Sequence, residues 1–268
     1  MSPAEPTIIG TPSSRDATSI SSRSCVCHAS GLVDVSEPSG IGPTSSLPES
    51  AATIGHALSH TSAGTPGETF VYDPARRLFP QTEETEYYLA EGYGGQKRQA
   101  ELALIHGDTG ALAWTIVRPC HIYGPGSRLG CLPLHGRDPQ LIERLRAGEP
   151  LRLVGGGHFL QQPILARDLA DLILSLLGNP ASYGQVLGAA GPDTVESRTF
   201  YQIIADSLGV PLTVEEVSVQ AHRAAHPEAA PFLCHRIYDL SRLKAVGVSV
   251  PSTPLAVGLA EHVASLLA

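Results

Sequence analysis

The pattern of apolar and polar positions divides the chain near residue 67. Beyond that point, runs with strand and helix periods alternate. Thr69-Phe70-Val71-Tyr72 is a short β-prone run stopped by Asp73-Pro74. A polar loop then leads into a helix that begins near Tyr93 and runs to about His106, with Ala100, Leu102, Ala103 and Ile105 as its apolar face and Gly107 and Gly110 beyond its end. Trp114-Thr115-Ile116-Val117 is an unbroken apolar and β-branched run, which predicts a strand buried on both faces in a parallel sheet, ended by Arg118-Pro119. Residues 118–126 read as a long loop at the carboxyl end of that strand. Helices are predicted over 138–147, 167–177, 200–208 and 255–267, and strands over 150–154, 185–188 and 212–217. Leu169, Leu172, Ile173, Leu176 and Leu177 face inward. Strand and helix in alternation predict an α/β fold.

Residues 1–66 have a different texture. They are dense in Ser, Thr, Pro, Gly and Ala, and only Thr7-Ile8-Ile9 and Gly31-Leu32-Val33-Asp34-Val35 are strand-prone. This segment is expected to be largely irregular and to add little to the core. A dinucleotide-binding half would open with a strand, a Gly-x-Gly-x-x-Gly or Gly-x-x-Gly-x-x-Gly turn, and a helix whose amino end meets a pyrophosphate. No such turn occurs here. Ser39-Gly40-Ile41-Gly42 runs into Pro43, and Gly155-Gly156-Gly157 stands far downstream beside His158; both read as turns.

Composition narrows the function classes. With 42% hydrophobic and 16% charged residues, 268 residues supply ample material for one globular unit with a lobe. A net charge of -8 and scarce lysine argue against a nucleic-acid partner. No apolar run is long enough for a membrane span and no secretory pattern opens the chain, so the expected location is cytoplasmic, with no membrane partner. Five cysteines suit reduced thiols, and Cys25-Val26-Cys27 lacks the two-residue gap of common zinc sites, so no metal site is expected.

Candidate chemistry centres on Tyr93-Gly94-Gly95-Gln96-Lys97. A spacing of four puts the phenol and the ammonium on one helical face, where the ammonium favours the phenolate and makes the Tyr a usable general acid or base. Gly94 and Gly95 cost such a helix about 1 kcal/mol each relative to Ala, a cost that suits close approach of a ligand to the backbone.

Tyr-x-x-x-Lys, a helix, a buried strand and then Arg118-Pro119-Cys120-His121-Ile122-Tyr123-Gly124-Pro125-Gly126 closely resembles the extended short-chain dehydrogenase/reductases, the NAD-dependent epimerase/dehydratase group. The stretch from Gly156 to Ala170 and Tyr238-Asp239-Leu240-Ser241-Arg242-Leu243 resemble two later segments of that family. The resemblance covers about residues 70–265. It implies a partial Rossmann-type parallel sheet with a small carboxyl-terminal substrate-binding lobe. Tyr93 would be the catalytic acid/base, and Lys97 would tune it while holding the nicotinamide ribose of NAD or NADP. The backbone of Pro119, Cys120, His121 and Ile122 would line the nicotinamide side, and the substrate would be a nucleotide sugar or related secondary alcohol.

Departures accompany the matches. Where the family carries a Ser or Thr three residues before the Val of its Val-Tyr-Gly run, this chain has Glu68, and Thr69, one place on, is the candidate hydroxyl. Gln96 replaces a common Ser or Thr. His121 is expected as a surface or hydrogen-bonded residue, and Asp168 as a capping or first-turn residue. The expected domains are an irregular 1–66, a remnant of the dinucleotide-binding domain with the catalytic helix at 67–130, and the substrate lobe with the closing elements at 131–268. A homodimer through the Tyr93 helix is also expected. Two readings follow. One is an active NAD(P)-dependent enzyme; the other is a truncated, inactive remnant that binds no dinucleotide, in which a changed reading frame or start would leave a junction near residues 66–69. On the second reading the chain binds NAD or NADP no better than millimolar.

Overall fold

The computed structural model describes residues 80–83, 92–131, 134 and 136–268, together with the backbone of three short strands nearer the amino end. The side chains of residues 92, 93 and 231 lie outside that description. Residues 1–44 form one unit, in which β1 (Cys27–His28) and β2 (Gly31–Leu32) pair antiparallel. β2 opens the strand-prone 31–35 fragment; the 7–9 and 69–72 fragments fall outside the described residues.

Residues 45–268 form the second unit. Its main sheet has three parallel strands in the order β3 (Gly55–Leu58), β4 (Trp114–Pro119), β9 (Gln185–Ala189). β3 sits inside the stretch expected to add little to the core, yet it pairs with β4 from Gly55↔Trp114 to Leu58↔Val117. Gly-His-Ala-Leu carries no β-branched residue, so nothing local marks it as a strand; pairing with a central strand overrides propensity. A parallel pair requires a crossover, and α1 (Gly92–His106) lies in the one between β3 and β4.

β4 runs two residues past its expected end, through Arg118 and Pro119, which pair with Gly188 and Ala189. Proline is tolerated for a geometric reason. The Cys120 N–H donates to Ala189 O at 2.9 Å, so the backbone nitrogen of Pro119 faces away from β9. The absent N–H of Pro119 therefore costs no bond to β9.

The expected long loop after β4 is interrupted by β5 (Ile122–Tyr123), parallel to β8 (Ile164–Leu165). The lobe adds α2 (Leu141–Arg146), β6 (Leu151–Val154) parallel to β11 (Val214–Val217), and β7 (Leu160–Gln161) antiparallel to β10 (Val195–Glu196). α2 starts three residues later than expected because the Asp138 carboxylate accepts from Gln140 N at 2.8 Å and holds a turn there. Gly155, Gly156 and Gly157 form a 3₁₀ turn with φ of 58°, 64° and 83°. A Cβ at Gly157 would meet Leu153 Cδ1 at 2.8 Å and Arg198 Cβ at 2.9 Å, so this turn is packed by protein and leaves no phosphate cradle.

α3 (Ala166–Leu176) buries Leu169, Leu172 and Leu176, at helical spacing, against Val117 and Leu187 of the main sheet. A second core joins Tyr123, Leu141, Leu145 and Leu153 to Phe200, Tyr201 and Ile204 of α4 (Ser197–Leu208) and to Leu255, Leu259 and Val263 of α7 (Leu255–Leu267). α5 (Val219–Ala225) and α6 (Ser241–Ala245) complete the chain. Among the described residues no helix is long and apolar enough to cross a membrane.

Candidate active site

α1 is fastened to β4 by a buried ion pair. Arg118 Nε donates to Glu101 Oε1 at 2.9 Å and its Nη2 to Oε2 at 2.7 Å, with the two side chains 3% and 1% exposed. Two parallel N–H bonds to one carboxylate fix orientation as well as distance. Arg98 Nη1 adds a contact to the same carboxylate at 2.9 Å, and Arg118 Nη1 donates to the Glu83 carbonyl at 3.2 Å. Charge this deep is tolerated because the pair is hydrogen-bonded on several sides.

This clamp sets the height of the helix on the sheet. Positions 93 and 97 lie one helical turn apart, and Lys97 is one turn before Glu101, about 6 Å along the axis. The clamp fastens α1 at Arg118, the residue before the last of β4. Lys97 is half-buried, and Gly94 and Gly95 are helical and buried. Tyr93 belongs to the helix, and its side chain falls outside the described residues, as does Thr69 entirely.

The loop candidates are built into the protein. Pro119 is buried at the last position of β4. The Cys120 amide is taken by Ala189, and its thiol donates to the Gln162 carbonyl at 2.8 Å; burial pushes that thiol's pKa far above its usual value. His121 is buried with its ring edge-on to Phe200 at 6.1 Å, while its carbonyl accepts from Ile164 N at 2.9 Å. Half-buried Ile122 pairs with Ile164.

Beyond β5 the loop is tied from two sides. The Tyr201 hydroxyl accepts from Cys131 N at 2.8 Å and donates to Cys131 O at 2.5 Å. His262 of α7 donates from Nε2 to Ser127 O at 2.8 Å and stacks on Tyr123. Burial raises the Cys131 thiol to about 11, partly offset by the nearby Arg236 charge. Arg236 donates to Gln161 Oε1 at 2.8 Å and to Phe232 O at 3.0 Å.

Gln162 is a hub absent from the sequence reading. Its Nε2 donates to Gly191 O at 2.9 Å, its Oε1 accepts from Tyr238 N at 2.8 Å, and its carbonyl takes the Cys120 thiol. Asp168 stands in the first turn of α3 as expected, and its carboxylate binds another segment: it accepts from Ser252 N, Thr253 N and Thr253 Oγ1 at 3.0, 2.8 and 2.6 Å. Glu101 was detectable, since an Arg ending an apolar strand needs a buried partner and Glu101 lies one turn past Lys97.

The family model for NAD dependent epimerase/dehydratases matches residues 49–187, more than half of the chain and reaching back past β3. The chain belongs to that family. Its members, the extended short-chain dehydrogenase/reductases, share the parallel sheet and lobe seen here. The dTDP-4-dehydro-6-deoxy-D-allose reductase of a Streptomyces species is 30% identical over 176 residues, which is 65% of this chain and 50% of the reductase. The chloroplast stem-loop binding protein of 41 kDa b of Arabidopsis thaliana is 29% identical over 98 residues, 37% of this chain and 24% of that protein. The chain thus spans half or less of the curated relatives it matches.

Solved structures agree on the fold. The UDP-N-acetylglucosamine 4-epimerase of Methanobrevibacter ruminantium has a TM-score of 0.58 at 19% identity, covering 79% of this chain and 63% of that one. The dTDP-glucose 4,6-dehydratase of Streptomyces venezuelae, solved with NAD and TYD, has a TM-score of 0.58 at 20% identity, covering 80% and 60%.

Proposed function

We propose that this epimerase/dehydratase-family chain carries out acid/base chemistry on a secondary alcohol of a nucleotide sugar, with Tyr93 as the proton acceptor and donor. The observation that supports this reading is the Glu101–Arg118 clamp, which fastens the helix bearing Tyr93 and Lys97 to Arg118, one residue from the carboxyl end of β4, the end at which open α/β sheets bind ligands. The residues present suit the nicotinamide end of NAD or NADP: Lys97 is half-buried, and Gly94 and Gly95 put no side chain on the helix beside it. When bound, the dinucleotide supplies the hydride acceptor. Tyr93 takes the hydroxyl proton, Lys97 favours its phenolate and contacts the ribose, and the loop fastened by Tyr201 and His262 bounds the sugar. A homodimer through α1 belongs to the same proposal, with Gln96, Gln99 and Ala103 exposed along the helix.

A second reading is favoured by the sequence before β3, which contains no Gly-rich dinucleotide turn. On that reading this chain alone holds no pyrophosphate. The few hydrogen bonds left at the nicotinamide end, about 0.5–1.5 kcal/mol each, fall short once ligand immobilisation, about 4 kcal/mol or more, is subtracted. Titration of NADH fluorescence against the 268-residue chain separates the two. A micromolar dissociation constant, with Tyr93→Phe cutting turnover of a dTDP- or UDP-hexose about 10²–10⁴-fold and leaving NADH affinity unchanged, establishes the enzyme. Binding no tighter than millimolar establishes the second reading, and turnover that survives Tyr93→Phe removes the role given to Tyr93.

A further inference from the structure

On the lobe, α5 and the residue that caps its carboxyl end carry His222-Arg223-Ala224-Ala225-His226. Ser218 caps this helix by accepting from Ala221 N at 3.3 Å, and His226 N donates to His222 O at 2.8 Å, so the two histidines are one helical turn apart with fixed backbones. Their ring centroids lie 4.8 Å apart with the planes tilted by 39°. His222 is 7% exposed, and its Nε2 has no hydrogen-bond partner. Both imidazoles line a cavity of about 210 Å³, otherwise walled by Leu134, Val217, Ala221 and Ala225, with Arg152 at its rim.

A buried imidazole nitrogen without a partner is costly in an apolar wall unless something fills the site. The second ring is prepared for a ligand. His226 Nδ1 lies 3.3 Å from Glu228 Oε1, and a carboxylate there holds the Nδ1–H tautomer and leaves Nε2 with its lone pair free for coordination. Ring separation supplies an independent check. A Zn²⁺ about 2.1 Å from one nitrogen of each ring lies about 3.2 Å from each ring centre, and an N–Zn–N angle of about 100° then separates the centres by about 4.9 Å. The observed centroid separation of 4.8 Å leaves room for one ion held by both rings. The Arg152 charge at the rim is met by Glu215, 3.3 Å away.

We infer that His222 and His226 form a binding site for a divalent transition metal ion of the Zn²⁺ class, with Glu228 orienting His226. Among the described residues no group of three His, Cys, Asp or Glu side chains is arranged around one metal position. The coordination is therefore completed by water or by a small ligand in the cavity. Such an open site serves to brace α5 or to recruit an exogenous ligand, and it is separate from the dinucleotide chemistry proposed above.

The test is calorimetric titration of Zn²⁺ into the full metal-free chain, repeated with Co²⁺ so that absorption reports the coordination geometry. His226 is exposed, so His226→Ala leaves the fold intact and is the decisive variant. Expected are one site tighter than about 100 µM, a loss of at least tenfold in affinity in His226→Ala, and a loss of about tenfold in Glu228→Gln, at the low end of the range for such supporting carboxylates. An affinity unchanged in His226→Ala would place any bound metal on other side chains of this histidine-rich chain and overturn the proposal. A wild-type chain that binds neither ion below millimolar would do the same.

Discussion

Removing Glu101 should expose how much the α1–β4 clamp stabilises the fold. Glu101→Ala removes the carboxylate that meets the Arg118 guanidinium, 3% exposed, with two short hydrogen bonds. Breaking a buried pair by deleting one partner costs about 3–5 kcal/mol, because the remaining charge stays desolvated. Against a total stability of about 5–15 kcal/mol this is a large fraction. At about 2–4 °C per kcal/mol for a chain of this size, the melting temperature should fall by roughly 6–20 °C. Arg98 provides the control. It is 16% exposed and makes one contact to the same carboxylate, so Arg98→Ala should cost under about 1 kcal/mol. Replacing both buried partners, Glu101→Met with Arg118→Met, removes the two charges together and should recover more than half of the loss. The assay is urea denaturation followed by circular dichroism for all four proteins. A loss below about 1 kcal/mol in Glu101→Ala, or a double variant no more stable than the single one, would refute the reasoning.

A methyl group at position 258 should be resisted by the loop, since a Cβ there would lie 2.3 Å from the Tyr123 hydroxyl and 3.0 Å from its Cζ. Gly258→Ala is expected to cost about 1–3 kcal/mol, partly restored by Tyr123→Phe; urea midpoints that do not move would contradict this. The pH dependence of stability tests the latch on Ser127. Burial, opposed by the bond to the Ser127 carbonyl, holds the His262 pKa below its ordinary value, and burial lowers His222 likewise. The unfolded chain takes up these protons near pH 6.5 while the fold does not, so this contribution is complete above about pH 6.5 and declines as pH falls through the folded value. His262→Phe should flatten the slope of stability between pH 7.5 and 5.5, and an unchanged slope would remove His262 from the account.

What the sequence disclosed was whatever is written locally. α7 was legible at both ends because its apolar stripe is continuous, and β4 because four apolar or β-branched residues stand together. That positions 93 and 97 share one helix was legible for the same reason, since one helical turn is a local distance. The two-residue strands β5, β7, β8 and β10 were not, because two residues hold no period and become strands only through partners such as Ile164 for Ile122. β3 was hidden likewise. The use made of Cys120 and His121 depended on Ala189, Gln162 and Ile164, and no spacing within residues 118–126 could reveal that those groups meet protein partners. Asp168 was placed in the correct turn, yet the segment it binds lies 84 and 85 residues away at Ser252 and Thr253.

The two kinds of bond on β4 also differ in when they can form during synthesis. Arg118 and Glu101 are 17 residues apart, so the clamp can close soon after β4 leaves the ribosome. The other edge of the strand must wait: Thr115 finds the Ser182 carbonyl 67 residues later, and β9 follows directly after it. At about 5–20 residues per second that interval lasts several seconds. For those seconds β4 would present an apolar strand with one edge open, the condition under which chains add to one another. An early helix clamped across one face of β4, before its second neighbour exists, would lower that exposure, which gives the Glu101–Arg118 pair a kinetic consequence distinct from its effect on the finished fold.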